Sequence, residues 1–489
     1  MRFSFDNSYA RLGAPFVRPT RPTAVAAPLL LKLNRPLAEE LGLQADALDG
    51  PEGAAIFSGN ALPDDAEPVA SAYAGHQFGH FVPQLGDGRA ILLGEIVDRT
   101  GRRRDVQLKG AGLTEFSRGG DGRAALGPVL REYLVSEAMA ALGIPTTRAL
   151  AVVSTGEWVY RETALAGAVL TRVASSHIRV GTFQFFAARR DDAAVKRLAD
   201  HVIDRHYPQV REAPNPYAAL LEQVCGRQAA LVARWMQVGF VHGVMNTDNM
   251  SVAGETIDYG PCAFLDVFDP ATVFSSIDRG GRYAYENQPG IAQWNLTRLA
   301  ECLLPLLDPD EGRAIETAQA ILAGFATTFD AAYLAGFRSK LGLSTQQTED
   351  RELIGGLLGR MAAQKADFTL TFRGLAEAAE DERADASVRA LFADPDPYDE
   401  WAPRWRARLA SEPVPSGERA KAMDAVNPAI IPRNHRVEEA LAAAYEGDLA
   451  PFHRLNEALA RPYEDRPDFA DYAGLPPERE AAYRTFCGT

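Results

Sequence analysis

A polar segment near the middle of the chain constrains its fold more than any other feature. This segment, HGVMNTDN at residues 242–249, is followed nine positions after Asn249 by Asp258-Tyr259-Gly260. Amide and carboxylate oxygens are ligands that Mg²⁺ takes from proteins, and substrate phosphates complete its coordination. The order and spacing therefore predict that Asn249 and Asp258 hold a divalent metal, with a short hairpin of the intervening SVAGETI residues between them.

A lysine and a glutamate precede this segment at a second informative spacing. Lys109 lies in VQLKG, which predicts a strand, and Glu132 follows 23 positions later on a helix predicted over residues 128–142. Kinase-type folds use a strand lysine held by a helical glutamate to contact phosphates. We expect Lys109 to neutralise phosphate oxygens and Glu132 to fix its rotamer. Without the neighbouring motifs, a surface salt bridge would be the preferred interpretation.

The pattern of apolar residues divides the chain into a strand-rich part and a helical part. The segments AILLGEI, RDVQLKG, AVVSTGEWVYRET and AVLTRV predict strands, a second helix is predicted over residues 216–239, and helical patterns dominate after Asn295. We predict an α+β, protein-kinase-like, two-lobed fold, with a sheet-rich N-terminal lobe carrying one key helix and a large helical C-terminal lobe. Residues 1–170 form the N-terminal region and lobe; residues 171–489 form the helical lobe with its catalytic loop (242–249), metal-binding segment (258–260) and C-terminal extension.

Glycine and arginine residues supply candidate phosphate contacts. In QLGDGR, Gly86 and Gly88 allow close backbone approach to a phosphate and Arg89 adds charge, although such a turn taken alone is more often a simple hairpin. Arg172 and Arg179 lie seven positions apart. Their planar guanidinium groups suit a phosphate tail gripped from more than one side, and ordinary ion pairs are the alternative. A further glycine-rich turn, GGDGR, contains Asp121 and Gly122.

The proton acceptor of an ordinary phosphotransferase is missing from the polar segment. Small-molecule kinases of this type have His-Gly-Asp, with the metal-binding Asn five residues after that Asp, and Val244 occupies the corresponding position here. Asp248 can accept a proton instead, from a position one residue before Asn249.

Composition and charge exclude several classes of partner. The 65 acidic and 51 basic residues give a net charge of −14, which disfavours binding to nucleic acid or to an anionic membrane over the whole surface. We find no uncharged apolar run of about 18 residues, and Asp6 interrupts any signal peptide, so we expect a cytoplasmic protein. Four widely spaced cysteines without a C-x-x-C pair indicate neither a zinc site nor a disulfide framework.

The chain resembles the selenoprotein O (SelO, or YdiU) family of protein adenylyltransferases along essentially its whole length. The resemblance is carried by FDNSYARL, YAGHQFGHFVPQLGDGRAILLGE, QLKGAGLTEFSRGGDGRAALGPVLREYLVSEAM, HGVMNTDNMS, DYGPCAFLD, NQPGIAQWNLTRLA and NPAIIPRNH. It implies a kinase-like fold that binds ATP in a flipped orientation and, with Mg²⁺ or Mn²⁺, transfers AMP to Ser, Thr or Tyr hydroxyls of proteins. UMP transfer from UTP is implied as a further activity.

The resemblance also implies a role for each candidate residue. Asp248 becomes the proton acceptor, Glu132 the partner of Lys109, and Asn249 and Asp258 the metal ligands. The implied nucleotide contacts are Gly86, Gly88, Arg89, Lys109, Asp121, Gly122, Arg172, Arg179 and Asp258. With the γ-phosphate among Lys109, Arg172 and Arg179, the α-phosphate faces the acceptor.

Two other functions stay open at the level of sequence. A conventional phosphotransferase would use Asp248 as base, and a catalytically dead pseudokinase scaffold would bind nucleotide alone. By analogy with the family, Cys487 near the C-terminus and Cys262 are candidates for a redox-active pair.

Overall fold

The structure, a computed structural model, describes residues 1–476 and residue 485. Its strands are β1 Val17–Pro19, β2 Leu29–Leu33, β3 Val69–Ser71, β4 Gly75–Gln77, β5 His80–Val82, β6 Ala90–Val97, β7 Arg103–Lys109, β8 Ala124–Ala125, β9 Arg148–Tyr160, β10 Ala164–Ala174, β11 Phe240–Val241 and β12 Ala263–Phe264. Seven of them form one sheet in the order β1-β3-β6-β7-β10-β9-β2, and β8 pairs with β10. All pairings in this sheet are antiparallel.

The register of the central strands places three polar side chains on one face of the sheet. Gln107 on β7 pairs with Arg172 on β10, and Lys109 lies two residues after Gln107. Because side chains alternate between the two faces of a strand and cross-strand partners share a face, these three side chains point to the same side. Polar side chains in the middle of a sheet mark the site described below.

Helices make up most of the remaining described chain. They are α1 Arg35–Glu40, α2 Ala45–Leu48, α3 Pro51–Ser58, α4 Leu126–Ala141, α5 Val180–Ala187, α6 Asp192–His206, α7 Pro216–Gln237, α8 Gln288–Leu307, α9 Glu311–Lys340, α10 Asp350–Ala363, α11 Phe368–Ala378, α12 Asp385–Arg389, α13 Asp396–Ala410, α14 Ser416–Asp424, α15 Asn434–Tyr445, α16 Ala450–Leu459 and α17 Ala470–Ala473. The predicted combination of a sheet with helices is confirmed, and the two predicted helices correspond to α4 and α7 within two residues at each end.

The predicted hairpin between Asn249 and Asp258 is wrong. Within this stretch Ser251 forms an isolated antiparallel bridge with Arg179, and Thr256 forms a parallel bridge with Thr146. The segment turns at Gly254, whose φ of +78° suits a residue without a Cβ. These two bridges tie the polar segment to the residue before α5 and to the residues after α4.

Helix α4 lies between the sheet and the C-terminal helices. Its buried side chains include Leu130 and Leu134, and Tyr133 packs against Phe452 of α16 with 5.7 Å between ring centroids. These α4 side chains belong to one buried apolar cluster with residues of β10, α15 and α16. Burial on both sides fixes α4, and with it Glu132.

Among the described residues, one helix has the length and apolar composition to cross a membrane. This helix, α9, contains an 18-residue window of mean hydropathy 1.4. Long helices of water-soluble proteins meet the same criterion, and α9 packs along α7 and α8.

Replacing Lys340 with Met should stabilise the protein. Lys340 is buried, burial lowers its pKa to about 7, and its ammonium lies 4.4 Å from the centroid of Phe372. The unfolded chain binds more protons than the folded one between pH 7 and about 10.5, so the destabilising contribution is nearly complete at pH 7 and falls as the pH rises. We expect Lys340→Met to add about 2 kcal/mol at pH 7, after about 1–2 kcal/mol of cation–π attraction offsets part of the desolvation cost.

Denaturant unfolding measured from pH 7 to 9 tests this expectation. Lys421→Met, which changes an exposed lysine on α14, is the control and should show no pH-dependent gain. A Lys340→Met gain that stays constant across this pH range would contradict the assignment of a buried titrating lysine.

Candidate active site

A cavity of about 1100 Å³ opens beside the polar face of the sheet. Eleven of the twelve candidate residues from the sequence line it: Gly86, Gly88, Arg89, Lys109, Asp121, Gly122, Arg172, Arg179, Asp248, Asn249 and Asp258. The twelfth, Glu132, is buried on α4 and reaches the cavity through its partners. Residues scattered over more than 170 positions of sequence are therefore brought to one place.

A chain of five charged side chains forms the back of the cavity. Glu132 accepts hydrogen bonds from Lys109 Nζ and from Arg172 Nε, each at 2.5 Å. Arg172 Nη2 donates to Asp258 Oδ1 at 2.6 Å, and Arg179 Nη1 donates to Asp258 Oδ2 at 2.6 Å. The expected pairing of Lys109 with Glu132 is thus present, and Arg172 joins that pair to Asp258.

This arrangement keeps both carboxylates ionised. Burial by itself raises the pKa of Asp258, but Arg179, Arg172 and Lys109 outweigh it and hold the pKa well below its ordinary value. Burial also opposes ionisation of Glu132, and Arg172 followed by Lys109 lowers its pKa overall. Three cations face two anions, which leaves a net positive charge toward the cavity and suits a polyanionic ligand.

Asp258 has an unusual backbone conformation in addition to its charge. Its φ of +60° lies in the left-handed region, which costs a non-glycine residue free energy. The two guanidinium groups and the bond from Gly260 N to Asp258 O at 2.9 Å hold it there. Conformational strain held in place by several neighbours is common at functional sites.

The pKa of Asp248 is shifted in the opposite direction to that of Asp258. It is almost completely buried, and burial raises its pKa to about 6 against the opposing effect of Arg179. Its carbonyl oxygen accepts a hydrogen bond from Arg179 Nη1 at 2.7 Å, so the same guanidinium holds Asp248 by its backbone and Asp258 by its side chain. Two carboxyl groups with pKa values moved apart are typical of a site that separates metal binding from proton transfer.

The glycine turn before β6 packs tightly against the loop that follows β7. Gly86 has a φ of +71°, and a Cβ there would lie 2.3 Å from the ring of Phe116. Ser117 Oγ donates to the carbonyl oxygen of Gly88 at 2.5 Å, and Thr114 Oγ1 donates to that of Asp87 at 2.6 Å. The loop thereby fixes the turn that the sequence predicts to approach a phosphate.

The second glycine-rich turn lies at the rim of the cavity. Asp121 is exposed and accepts hydrogen bonds from Arg161 Nη1 at 2.8 Å and from Arg123 N at 2.9 Å. Gly122 has a φ of +70°, and a Cβ there would lie 2.2 Å from the backbone of Gly112. Asp121 is therefore an exposed residue of the cavity lining that is paired with Arg161.

Several lining residues escaped the sequence analysis. Asp87 is buried between the two turn glycines and accepts from Gln107 Nε2 at 3.4 Å, and the ring of Tyr73 lies 4.5 Å from the guanidinium carbon of Arg179. Tyr445 at the end of α15 accepts a hydrogen bond from Gly127 N at 2.9 Å. The position of Asp87 inside the QLGDGR motif could have identified it from the sequence, but no local pattern indicates Tyr445.

The donor atoms of the site fit a divalent metal that arrives with phosphates. Within residues 1–476 and 485, no group of three or more His, Cys, Asp and Glu side chains forms a metal site by itself. Asp258 is anionic, and Asn249 Nδ2 donates to the carbonyl oxygen of Val244 at 3.0 Å, so Oδ1 is the Asn249 side-chain atom that could coordinate a metal. Mg²⁺ typically takes one or two such protein ligands and completes its shell with phosphates and water.

The cysteine hypothesis is not tested by this structure. Cys262 is buried two residues after Gly260, and its carbonyl oxygen accepts from Arg131 Nη2 at 2.6 Å. Cys487 lies outside the described residues.

A cationic cavity with a glycine turn and two carboxylates of different pKa has the groups that an enzyme transferring a phosphate-bearing group requires. Residues 1–460 match the family model described as protein adenylyltransferase SelO. The chain therefore belongs to the SelO family, as its sequence motifs indicate.

Curated relatives match the chain from end to end. Proteins named protein nucleotidyltransferase YdiU from Rhodopseudomonas palustris (strain BisB5) and Bradyrhizobium sp. (strain ORS 278) are each 64% identical, covering 100% of both chains. The protein of that name from Methylorubrum extorquens is 65% identical and covers 100% of this chain and 99% of its own. The alignments thus span this chain and 99–100% of each of these relatives.

Loss of Arg172 should destabilise the fold more than loss of Lys109. Arg172→Met removes a cation from both Glu132 and Asp258, whereas Lys109→Met leaves Glu132 bonded to Arg172. Uncompensated buried charge costs about 3–5 kcal/mol, so we expect a loss of that size for Arg172→Met and about 1 kcal/mol for Lys109→Met. Urea unfolding of both variants measures the difference, and equal losses would contradict the central position given to Arg172.

Proposed function

We propose that the protein transfers AMP from ATP to Ser, Thr or Tyr hydroxyl groups of other proteins and releases pyrophosphate. The single observation that carries this proposal is the pairing of a cationic pocket with Asp248, a buried carboxyl of raised pKa one residue from the metal ligand Asn249. The family description and the relatives' names support nucleotide transfer to protein. UTP with UMP transfer is the alternative donor.

We propose that the chain has the two-lobed architecture of protein kinases. The eight-stranded sheet ends with β10 at Ala174, and in the described chain after it the two remaining strands, β11 and β12, have two residues each among many helices. This change supports a boundary at the end of β10, four residues after the one proposed between an N-terminal lobe of residues 1–170 and a helical lobe of residues 171–489. Lys109 on β7 and Glu132 on α4 then belong to the first lobe, and Asn249 and Asp258 to the second.

The cations of the site would bind the phosphate tail of the nucleotide. Lys109, Arg172 and Arg179 present their charge to the same cavity, and the loops of Gly86–Gly88 and Asp121–Gly122 also line it. With the terminal phosphates held there, the α-phosphate is directed at Asp248. Fixed cations stabilise the charge that develops on departing pyrophosphate without reorganising during the reaction.

Asn249 and Asp258 would hold the Mg²⁺ or Mn²⁺ ion. When bound, that ion supplies further neutralisation of phosphate charge. Two arginines fix the orientation of Asp258 for this role, because each of its oxygens accepts a hydrogen bond from a different one.

Asp248 would accept the proton of the incoming hydroxyl group. The hydroxyl oxygen forms a bond to the α-phosphorus, the bond from that phosphorus to the oxygen bridging to the β-phosphate breaks, and pyrophosphate departs with the bonding electrons. The hydroxyl proton passes to the Asp248 carboxylate. A base with a pKa near 6 remains largely ionised at neutral pH and is more basic than an exposed Asp.

The two alternative functions explain less of the site. Val244 is a buried apolar residue at the position where a small-molecule kinase would carry its base, which weighs against a conventional phosphotransferase. A nucleotide-binding scaffold would not need a strained Asp258 that accepts hydrogen bonds from two arginines and lines the same cavity as Asn249. Both alternatives remain distinguishable by the position of the label that is transferred.

Parallel incubations with ATP labelled at the α or the γ position test the proposal. We expect proteins of a bacterial lysate to acquire label from α-labelled ATP and not from γ-labelled ATP. Asp248→Asn should reduce transfer by about 100-fold or more because the base is lost, and Lys109→Ala should also reduce it strongly. Asp468→Asn, at an exposed carboxylate, is the matched control and should transfer normally. Transfer from the γ position alone would refute the proposal.

A further inference from the structure

A small hairpin packs against the residues that surround Asp248. The hairpin, formed by β4 and β5, pairs Gln77 with His80 across a two-residue turn. His76 N donates to Thr247 Oγ1 at 2.7 Å, and Phe78 N donates to Asn246 Oδ1 at 3.0 Å. Between these two anchors, Gln77 Nε2 donates to Asp248 Oδ2 at 3.3 Å.

The turn of this hairpin is strained and firmly held. Phe78 and Gly79 have φ values of +51° and +85°, the combination that a two-residue type I′ turn requires. A phenylalanine pays a conformational penalty there that glycine would not. The Phe78 ring packs edge-on against Tyr283 at 5.1 Å, and Tyr283 OH donates to the same Asn246 Oδ1 at 2.6 Å. The hairpin is therefore fixed at one position over the Asp248 loop.

The two carboxylate oxygens of Asp248 have different surroundings. Oδ1 is buried, and within the described chain it has no hydrogen-bond partner. A Cβ on Gly75 would lie 2.3 Å from this oxygen, so the hairpin covers it closely and leaves no room for a side chain. Oδ2 is consequently the oxygen that can receive a proton from a hydroxyl group in the cavity, and Oδ2 is the oxygen that Gln77 contacts.

We propose that Gln77 is a positioning residue for the proton-accepting oxygen of Asp248. This inference rests on the proposed role of Asp248 as base. An ionised carboxylate only accepts hydrogen bonds, so Gln77 presents its amide nitrogen to Oδ2 and occupies one lone pair. The second lone pair stays directed at the incoming hydroxyl. Gly75, on the same strand, lies against Oδ1, and its missing side chain lets the carboxylate rest against the hairpin backbone.

The hairpin does not need the Gln77 side chain to keep its place. Gln184 Nε2 lies 2.8 Å from His76 Nδ1, and Thr247 Oγ1 donates to Gln184 Oε1 at 2.6 Å. The His76 ring also contacts Trp294 edge-on, with 5.2 Å between centroids. These contacts and the backbone pairing of β4 with β5 survive substitution of Gln77, so a change at this position affects Asp248 rather than the fold.

Two substitutions of similar shape separate positioning from packing. Gln77→Met keeps the length of the side chain and removes the donor, and Gln77→Glu keeps the shape and places a second carboxylate beside Oδ2. With α-labelled ATP and a fixed amount of lysate protein, we expect Gln77→Met to lower apparent kcat about 10-fold and Gln77→Glu to lower it further, by up to about 100-fold. The KM for ATP and the Kd for ATP measured by calorimetry should stay within about twofold of the parent, since no phosphate contact changes.

His80→Ala is the control on the same hairpin, because His80 is the exposed strand partner of Gln77 and does not line the cavity. It should retain the parent kcat and melting temperature. The inference is overturned if Gln77→Met keeps the parent kcat. It is also overturned if the Met and Glu variants lose kcat equally and their melting temperatures fall in parallel.

Asp248→Asn, assayed beside these variants, separates failure of the inference from failure of the proposed function. If the Asp248→Asn enzyme is active, Asp248 is not the base, and both the proposed role of Asp248 and the inference about Gln77 are overturned. An inactive Asp248→Asn with a fully active Gln77→Met would overturn the inference alone. If the parent enzyme transfers the γ-label instead, the proposed function fails. The kcat of each Gln77 variant relative to the parent, measured with γ-labelled ATP, then decides the role of Gln77.

Discussion

The shared hold of Arg172 and Arg179 on Asp258 is the interaction on which the rest of the site depends. Each guanidinium donates to a different oxygen of the same carboxylate at 2.6 Å. Arg172 also forms an ion pair with Glu132, and Arg179 also donates a hydrogen bond to the backbone carbonyl of Asp248. Removing charges from water is expensive, so a buried network of this kind persists only when every member is paired. One set of ion pairs thereby fixes strand, helix and loop relative to each other and leaves positive charge facing the cavity.

The C-terminal helices extend this constraint over a long sequence distance. Arg131, next to Glu132 on α4, bonds Glu438 of α15 at 3.1 Å and the Cys262 carbonyl at 2.6 Å. Tyr445 accepts a hydrogen bond from the backbone of Gly127 in the first turn of α4. Helix α4 is thus held by the sheet on one side and by residues about 300 positions later on the other. The position of Glu132, and through it Lys109, depends on both contacts.

Local patterns were sufficient for the parts of the structure that are stabilised locally. Apolar segments between turn residues predicted β6, β7, β9 and β10, and helical periodicity predicted α4 and α7. The pairing of Lys109 with Glu132 was also predicted. The predicted hairpin after Asn249 is absent between residues 250 and 257, because Ser251 pairs with Arg179 and Thr256 pairs with Thr146 instead of with each other. Strand pairing depends on which neighbour is available, which a single sequence does not state.

The sequence by itself determined the chemical groups of the site and the family of the chain, because Lys109, Glu132, Asn249 and Asp258 occur at informative spacings. Only the tertiary structure decided how these groups act on one another. It joined Lys109 and Asp258 through Arg172, placed Asp121 at the rim, and set the hairpin of Gln77 against Asp248. The physical reason is that pKa values and hydrogen-bond geometry depend on burial and on distances between residues far apart in sequence, which folding alone brings together.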